Sequence, residues 1–388
     1  MNILFCDFGS YIYRDLLYFF GERQIHCKTF FYHFVDKYED DFYRQRLANE
    51  LECNNYDFVF SVNFHPLIAI VCYEKRKKYL SWSYDSPLEE GLEDYFWYET
   101  NYIFLFDRIE TETYRRKGFT QVFHMPLAVN MGRLCSYLKS GVINKENEEK
   151  FRADISFVGQ IYQSPLDALL FGAEDYVRGY VESVFQAQLR IYGSSFVETA
   201  INDDILQRIN GRYKKNGQND LRLNKRGLAY AIESKITQVE RSFLLTELGE
   251  ICSVNLYDSK QNNLSGKVNQ KGPVGYFDKM PLVFHYSKIN LNMTLKSIRS
   301  GIPLRALDIM ACGGLLFSNY QLELAEAFED GKELIMYNSI EDAIEKAIFY
   351  LQNEECLQLI AERGMQKVRE AYTYPERLNK MLQIAGII

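Results

Sequence analysis

"SIRSGIPLRALDIMACGG", residues 297–314, is the stretch on which the reading of this chain turns. A Gly-Ile-Pro turn at 301–303 runs into a short helix, and Gly313-Gly314 ends that helix and restarts a strand. The first backbone N–H groups of a helix lack intrahelical partners and carry about half a positive charge, which makes such a corner an anion site. Gly301 lets a ligand come close to the backbone. Pro303 presets φ where its missing N–H is no loss. Counted from Pro303, Asp308 lies about 7 Å up the axis at roughly 1.5 Å per residue. That spacing suits a carboxylate meeting ribose hydroxyls while residues Gly301, Ile302, Pro303 and Leu304 hold a diphosphate. Phosphate also needs positive charge. Arg299 and Arg305 flank the turn and Lys296 is near, with Arg305 the better placed in the helix's first turn. A plainer reading stands beside this one. Leu304, Leu307 and Ala311 form a core stripe, and Arg305 with Asp308 is an ordinary i,i+3 surface pair.

Outward from this corner, short apolar runs alternate with helical patterns, which predicts βα units on parallel sheets. The first half has Asn2–Phe8, Cys27–Phe34, "YDFVFSVNF" (56–64), "KYLSWSYDSP" (78–87), "YIFLFD" (102–107) and "VFHMPLAVN" (122–130). The second half predicts strands in "ISFVGQ" (155–160), "LRIYGSS" (189–195), "SVNLYDS" (253–259), "INLNMT" (289–294), "GLLFSN" (314–319) and "LIMYN" (334–338). Residues 160–188 and 200–250 read as mainly helical. The polar run "SGVINKENEEK" marks a linker. The expected fold is α/β, two Rossmann-like domains facing each other across a cleft. The boundaries are 1–135, a linker at 136–152, 153–372, and a terminal helix at 373–388 that packs back on the first domain. Ligands of such sheets bind beyond the carboxyl ends of the strands.

The 388 residues exceed one compact core, and 47% hydrophobic with 25% charged residues is a globular composition. A net charge of −7 weighs against nucleic acid or an anionic membrane surface as the main partner. No apolar run reaches the ~20 residues of a membrane span. MNILFCDFGS lacks a basic n-region and reads as a buried strand, not a signal peptide. Eight scattered cysteines without a CxxC pair fit reduced thiols in a cytosolic protein. The 29 Tyr and 27 Phe can supply stacking surfaces for sugars or peptides, or bulk for a core and its rim.

"GIPLRALDIMACGGLLFSN" followed by "LAEAFEDGKELIMYNSIEDAIEKAIFYL" resembles the donor-binding half of GT-B glycosyltransferases. Trp82-Ser83-Tyr84-Asp85-Ser86-Pro87, Pro126-Leu127-Ala128-Val129-Asn130 and Phe157-Val158-Gly159 resemble segments of the spore-maturation-protein type within that fold. The resemblance covers both ends of the chain, and residues 196–250 match nothing in it. It implies a transferase taking a nucleotide-diphosphate sugar, linked to uridine or guanosine diphosphate, with Gly159 at the opening of the donor domain. In retaining members two acids eight residues apart bracket the turn, the first meeting the donor sugar and the second the ribose. Asp308 stands at the second position and Ser300 at the first. The ribose role therefore carries over to Asp308, while the sugar contact and the stereochemical outcome do not carry over.

The resemblance puts the acceptor on loops of the first domain. Phe8-Gly9-Ser10-Tyr11, Asn63-Phe64-His65-Pro66 and Tyr84-Asp85-Ser86-Pro87 each follow a strand. An inverting reaction needs a general base near the acceptor hydroxyl, for which His65 and Asp85 are the candidates and Asp107 a weaker one. Capping before Pro66 and an Asx-turn before Ser86-Pro87 are the structural alternatives. Asp7-Phe8-Gly9 spells a kinase metal motif without the rest of a kinase. No G-x-G-x-x-G, no G-x-x-x-x-G-K-[ST], no Asp-x-Asp and no ligand spacing among His26, His33, His65, His124 and His285 occurs. The expectation is a metal-independent bacterial glycosyltransferase acting on a surface glycan or protein. A non-catalytic module that binds a protein partner and a nucleotide-sugar epimerase are the alternatives.

Overall fold

The computed structural model describes residues 1–215 and 222–388. The described chain divides into two units, residues 1–131 with 369–388, and residues 132–368.

The first unit holds six parallel strands: β1 (Asn2–Cys6), β2 (His26–Phe30), β3 (Phe58–Val62), β4 (Lys78–Ser83), β5 (Asn101–Leu105) and β6 (Val122–His124). Their order is β2-β1-β3-β4-β5-β6. The chain leaves β1 for one side and then crosses to the other, so β1 and β3 flank a topological switch point. Every residue of β3 is buried, as expected of a strand covered by helices on both faces. The final helix, Tyr374–Ile384, belongs to this unit. Tyr374 stacks on Phe19 at 5.2 Å, Lys78 Nζ donates to Ala385 O at 2.6 Å, and Val129 bridges Thr373.

The second unit also holds six parallel strands: β7 (Ala153–Val158), β8 (Val254–Tyr257), β9 (Val268–Gln270), β10 (Ser287–Asn292), β11 (Leu316–Asn319) and β12 (Ile335–Tyr337). Their order, β12-β11-β10-β7-β8-β9, puts its switch point between β7 and β10. Residues 136–152, read from composition as a linker, are largely helical here, as Met131–Tyr137, Leu138–Val142 and Lys145–Phe151. Between β7 and β8 the chain makes a long helical excursion. It includes Asp175–Leu189, Asp203–Lys215 and Lys225–Ile251, and it has its own apolar cluster around Val181, Ile205 and Ile232. The helical expectation for 200–250 is met where the chain is described, and its portion at 216–221 lies outside the described residues.

Residues 189–195 correct the sequence reading, because they form no strand. The buried amide of Gln188 donates to Ile191 O at 3.2 Å and Ser194 O at 2.8 Å, and accepts from Phe196 N at 2.9 Å. Gly193 takes φ +76. The chain therefore rounds one side chain as a turn, and β9 takes the sixth place in the sheet.

Candidate functional site

The corner at 297–314 sits beside the β7/β10 switch point. After β10 the chain runs through Met293–Ser300 into the helix Leu304–Ala311, whose N-cap is Pro303 in extended backbone (φ −68, ψ 147). The helix thus starts one residue later than the count from Pro303 assumed. Pro303 gives no side-chain cap to the first turn.

Arg305 reaches back over the end of β7. A Cβ built on Gly159 would stand 2.7 Å from Arg305 Nη1 and 3.1 Å from the Phe157 ring. Only glycine leaves that space. Arg305 Nε is buried and has no hydrogen-bond partner among the described residues. Burial lowers the guanidinium's pKa from its ordinary value, against the pull of Asp308, Tyr162 and Tyr276. A buried donor without a partner is destabilising by about 1–3 kcal/mol, more when it is charged. Such a group marks a place where an anion would restore the balance.

Asp308 is 3% exposed, so the surface-pair reading does not describe it. Its Oδ1 accepts from the Tyr276 hydroxyl at 3.1 Å. Arg133 lies over the Tyr276 and Phe277 rings, at 5.4 and 4.9 Å from their centroids, and the Tyr137 hydroxyl donates to Asp278 O. The loop before the helix Met280–Tyr286 is thereby fixed against Asp308.

Arg241, from the helix Lys225–Ile251, supplies a second guanidinium at this edge. It donates to Gln160 O at 2.5 Å and to Met293 O, so it ties the ends of β7 and β10 together. The Phe157 and Tyr162 rings lie 5.1 and 5.0 Å from its carbon. Its Nε is likewise buried and without a partner among the described residues. Burial brings its pKa down to about 10, and the Arg305 charge adds to the shift. The sequence held one signal for this residue. Arg241 shares the 3.6-residue stripe of Leu244, Leu245 and Leu248, which puts a cation on a core-facing side.

The other basic residues near the turn are engaged elsewhere. Lys296 Nζ pairs with Glu240 at 2.9 Å, both nearly inaccessible, and lies 3.9 Å from the Tyr192 ring centroid. Arg299 pairs with Glu198 at 2.5 Å. Close to that pair, Glu233 accepts from Ser195 Oγ at 2.5 Å, and burial pushes its carboxyl up to about 7. Ser300 is fully buried. Its hydroxyl donates to Glu323 Oε1 at 2.7 Å, and Glu323 N donates to Ser300 O at 3.2 Å. Gly301 and Ile302 are buried behind it, and Leu304 is half-buried. Glu323 carried no sequence signal, because its contact spans 23 residues.

In the first unit His65 and Asp85 lie on neighbouring loops after β3 and β4. Asn63 joins those loops, with φ +61. Its Nδ2 donates to Asp85 Oδ2 at 2.6 Å, and its Oδ1 accepts from Tyr84 N at 2.9 Å. His65 is the N-cap of the helix Pro66–Glu74 but makes no side-chain cap bond. Its ring packs on Phe8 at 4.2 Å and Phe34 at 5.5 Å, with Nε2 3.2 Å from Val62 O. Donation to that carbonyl puts the proton on Nε2 and leaves Nδ1 as acceptor. Burial lowers its pKa to about 4, so the ring is neutral at pH 7. Asp107 is fully buried and caps the helix Arg108–Arg116 by accepting from Glu110 N at 3.0 Å. Among the described residues no cluster of three His, Cys, Asp or Glu could hold a metal ion, and no helix is long and apolar enough to cross a membrane.

Residues 241–383 match the family model described as glycosyl transferase-like. No curated protein matches the chain. Solved structures with the same fold include HepE of Anabaena in complex with UDP and glucose, at 10% identity and a TM-score of 0.56 over 100% of both chains. The UDP-forming α,α-trehalose-phosphate synthase of Burkholderia xenovorans aligns at 12% identity and 0.55, over 99% of this chain and 98% of its own. A glycosyltransferase of Rickettsia africae aligns at 10% and 0.51, over 99% and 97%. With its two parallel six-stranded sheets the chain has the GT-B fold, and its residues 241–383 are similar to the glycosyl transferase-like family.

Proposed function

We propose that the chain is a glycosyltransferase that takes a nucleotide-diphosphate sugar on its second unit and delivers the glycosyl group to an acceptor held by loops of its first. The observation that carries this reading is the buried Arg305 guanidinium, whose Nη1 lies over Gly159 beside the β7/β10 switch point and whose Nε has no partner among the described residues. Arg305 and Arg241 hold the diphosphate with the start of the helix Leu304–Ala311, and Asp308 grips the ribose. These two guanidiniums stabilise the leaving diphosphate as charge develops on it. His65 or Asp85 receives or orients the acceptor hydroxyl. The Trp82–Pro87 and Pro126–Asn130 segments support the spore-maturation type within this class. Eight free thiols fit a cytosolic setting.

UDP is the first probe, since the HepE structures hold UDP and UDP-glucose. Calorimetric titration should show UDP binding to the wild type, weakened about tenfold or more in Asp308→Ala and Arg305→Ala. Equal binding by all three proteins removes the assignment. GDP is titrated in parallel to choose the base.

The bond from Ser300 to Glu323, where retaining enzymes carry a sugar-contacting acid, favours a second reading as a nucleotide-binding module without transfer activity. Release of free sugar from UDP-glucose by the purified chain discards that reading.

A further inference from the structure

Arg305 and Asp308 stand one turn apart on the helix Leu304–Ala311, the spacing at which opposite charges ordinarily pair. Asp308 is buried and so is Arg305 Nε, which strengthens the attraction between them. The Asp308 charge is near enough to pull on the guanidinium's proton equilibrium. Yet among the described residues Arg305 has no carboxylate within ion-pair distance, and its Nη1 lies over Gly159 instead. Rotating two side chains would close that gap. Leaving it open with Nε unsatisfied destabilises the empty chain, and such departures from local consistency gather at functional places.

Tyr276 supplies the reason. Its hydroxyl donates to Asp308 Oδ1 at 3.1 Å, and its ring is itself braced. The Arg133 guanidinium covers the Tyr276 and Phe277 rings, which meet edge to face at 5.0 Å. Just past them the chain turns tightly, with Lys279 N and Met280 N donating to Gly275 O at 3.2 and 2.9 Å. The Tyr137 hydroxyl, at the end of the helix Met131–Tyr137, donates to Asp278 O in the same turn. A phenol held this way gives Asp308 a fixed donor. A carboxylate that accepts from it keeps a different rotamer from one that reaches Arg305.

We propose that Tyr276 is a positioning residue: by engaging the Asp308 carboxylate it keeps Arg305 unpaired and open to an anionic ligand. The proposal rests on the reading of Arg305 as a phosphate-holding residue and extends it. An Arg305–Asp308 pair formed about nine-tenths of the time would cut the apparent anion affinity about tenfold, since only the open fraction binds. That occupancy needs no more than the strength of one charge-assisted hydrogen bond. The same pair would stabilise the empty chain. Lost affinity without lost stability separates positioning from damage to the fold.

The test uses inorganic pyrophosphate, which has no ribose and so reports on the guanidinium apart from any contact that Asp308 makes to a sugar. In calorimetry on the full chain, Tyr276→Phe should bind pyrophosphate about tenfold more weakly than the wild type, with a melting temperature no lower. The double variant Tyr276→Phe/Asp308→Asn has no carboxylate to close on Arg305, and it should regain the wild-type affinity or exceed it. Unchanged affinity in Tyr276→Phe, or a double variant as weak as the single one, overturns the proposal. The Arg305 Nε–Hε NMR cross-peak, assigned by its absence in Arg305→Lys, gives a second readout that needs no ligand. It should move in Tyr276→Phe and return toward its wild-type position in the double variant. A cross-peak that does not move overturns the proposal as well. A wild-type chain that takes up neither pyrophosphate nor UDP removes the donor reading, and the cross-peak then decides by itself whether Tyr276 keeps Asp308 from Arg305.

Discussion

Arg305 lies across Gly159, so that the first residue past β7 and the second residue of the helix after β10 share one space. The Arg305 side chain can be moved by changing either residue. Gly159→Ala puts a methyl group 2.7 Å from Nη1, inside any real contact distance. The guanidinium must swing away, and UDP affinity should fall about tenfold while the melting temperature moves little. Calorimetry beside thermal denaturation checks this. Unchanged affinity would show that Arg305 does not meet the diphosphate.

The Glu240–Lys296 pair joins the long helix to the loop before the turn. Removing one partner of a buried pair leaves a bare charge in a low-dielectric setting. Lys296→Met is expected to lose about 3–5 kcal/mol of unfolding free energy. The double variant Lys296→Met/Glu240→Leu should recover most of that loss. Urea unfolding of the three proteins decides it, and a double variant no better than the single one contradicts the account.

Glu233 gives a pH signature. Its carboxyl is raised from 4.5 to about 7 by burial, so the folded state holds the proton more tightly than the unfolded one. That contribution is full below pH 4.5 and is lost as pH rises through about 7, on the order of 3 kcal/mol in all. Glu233→Gln keeps an acceptor for Ser195 and cannot ionise. Its stability should therefore exceed the wild type's at pH 8 and match it near pH 4.5. Unfolding curves at the two pH values would show the crossover or its absence.

His65 shifts the other way. With its pKa lowered from 6.5 to about 4, the folded state binds fewer protons than the unfolded one between those values. Stability is lost there as pH falls. If His65 is the base, transfer should persist down to about pH 4–5 without an inflection near 6.5. A rate profile with a clean step at 6.5 that vanishes in His65→Gln would refute the neutral, buried ring.

The sheets were largely legible because their strands are continuous apolar runs such as Phe58–Val62, which parallel pairing demands. Residues 189–195 misled because an apolar alternation can be wound around one buried amide, Gln188, whose bonds leave no trace in composition. Strand β9, three residues in the polar run "KVNQK", offers no run to read. At the candidate site the turn and Asp308 could be singled out as candidates because their signals are local. Tyr276 and Glu323 join the site from 32 and 23 residues away, by contacts that only the folded chain brings about.

The helical excursion between β7 and β8 is more than decoration on a sheet. By lending Arg241 to the seam where β7 and β10 part, it makes the charge balance of that seam depend on a segment that a minimal version of the fold could omit. A shortened descendant would have to recruit a cation from another element, and grafting this excursion onto a leaner scaffold would transplant a guanidinium along with its bulk.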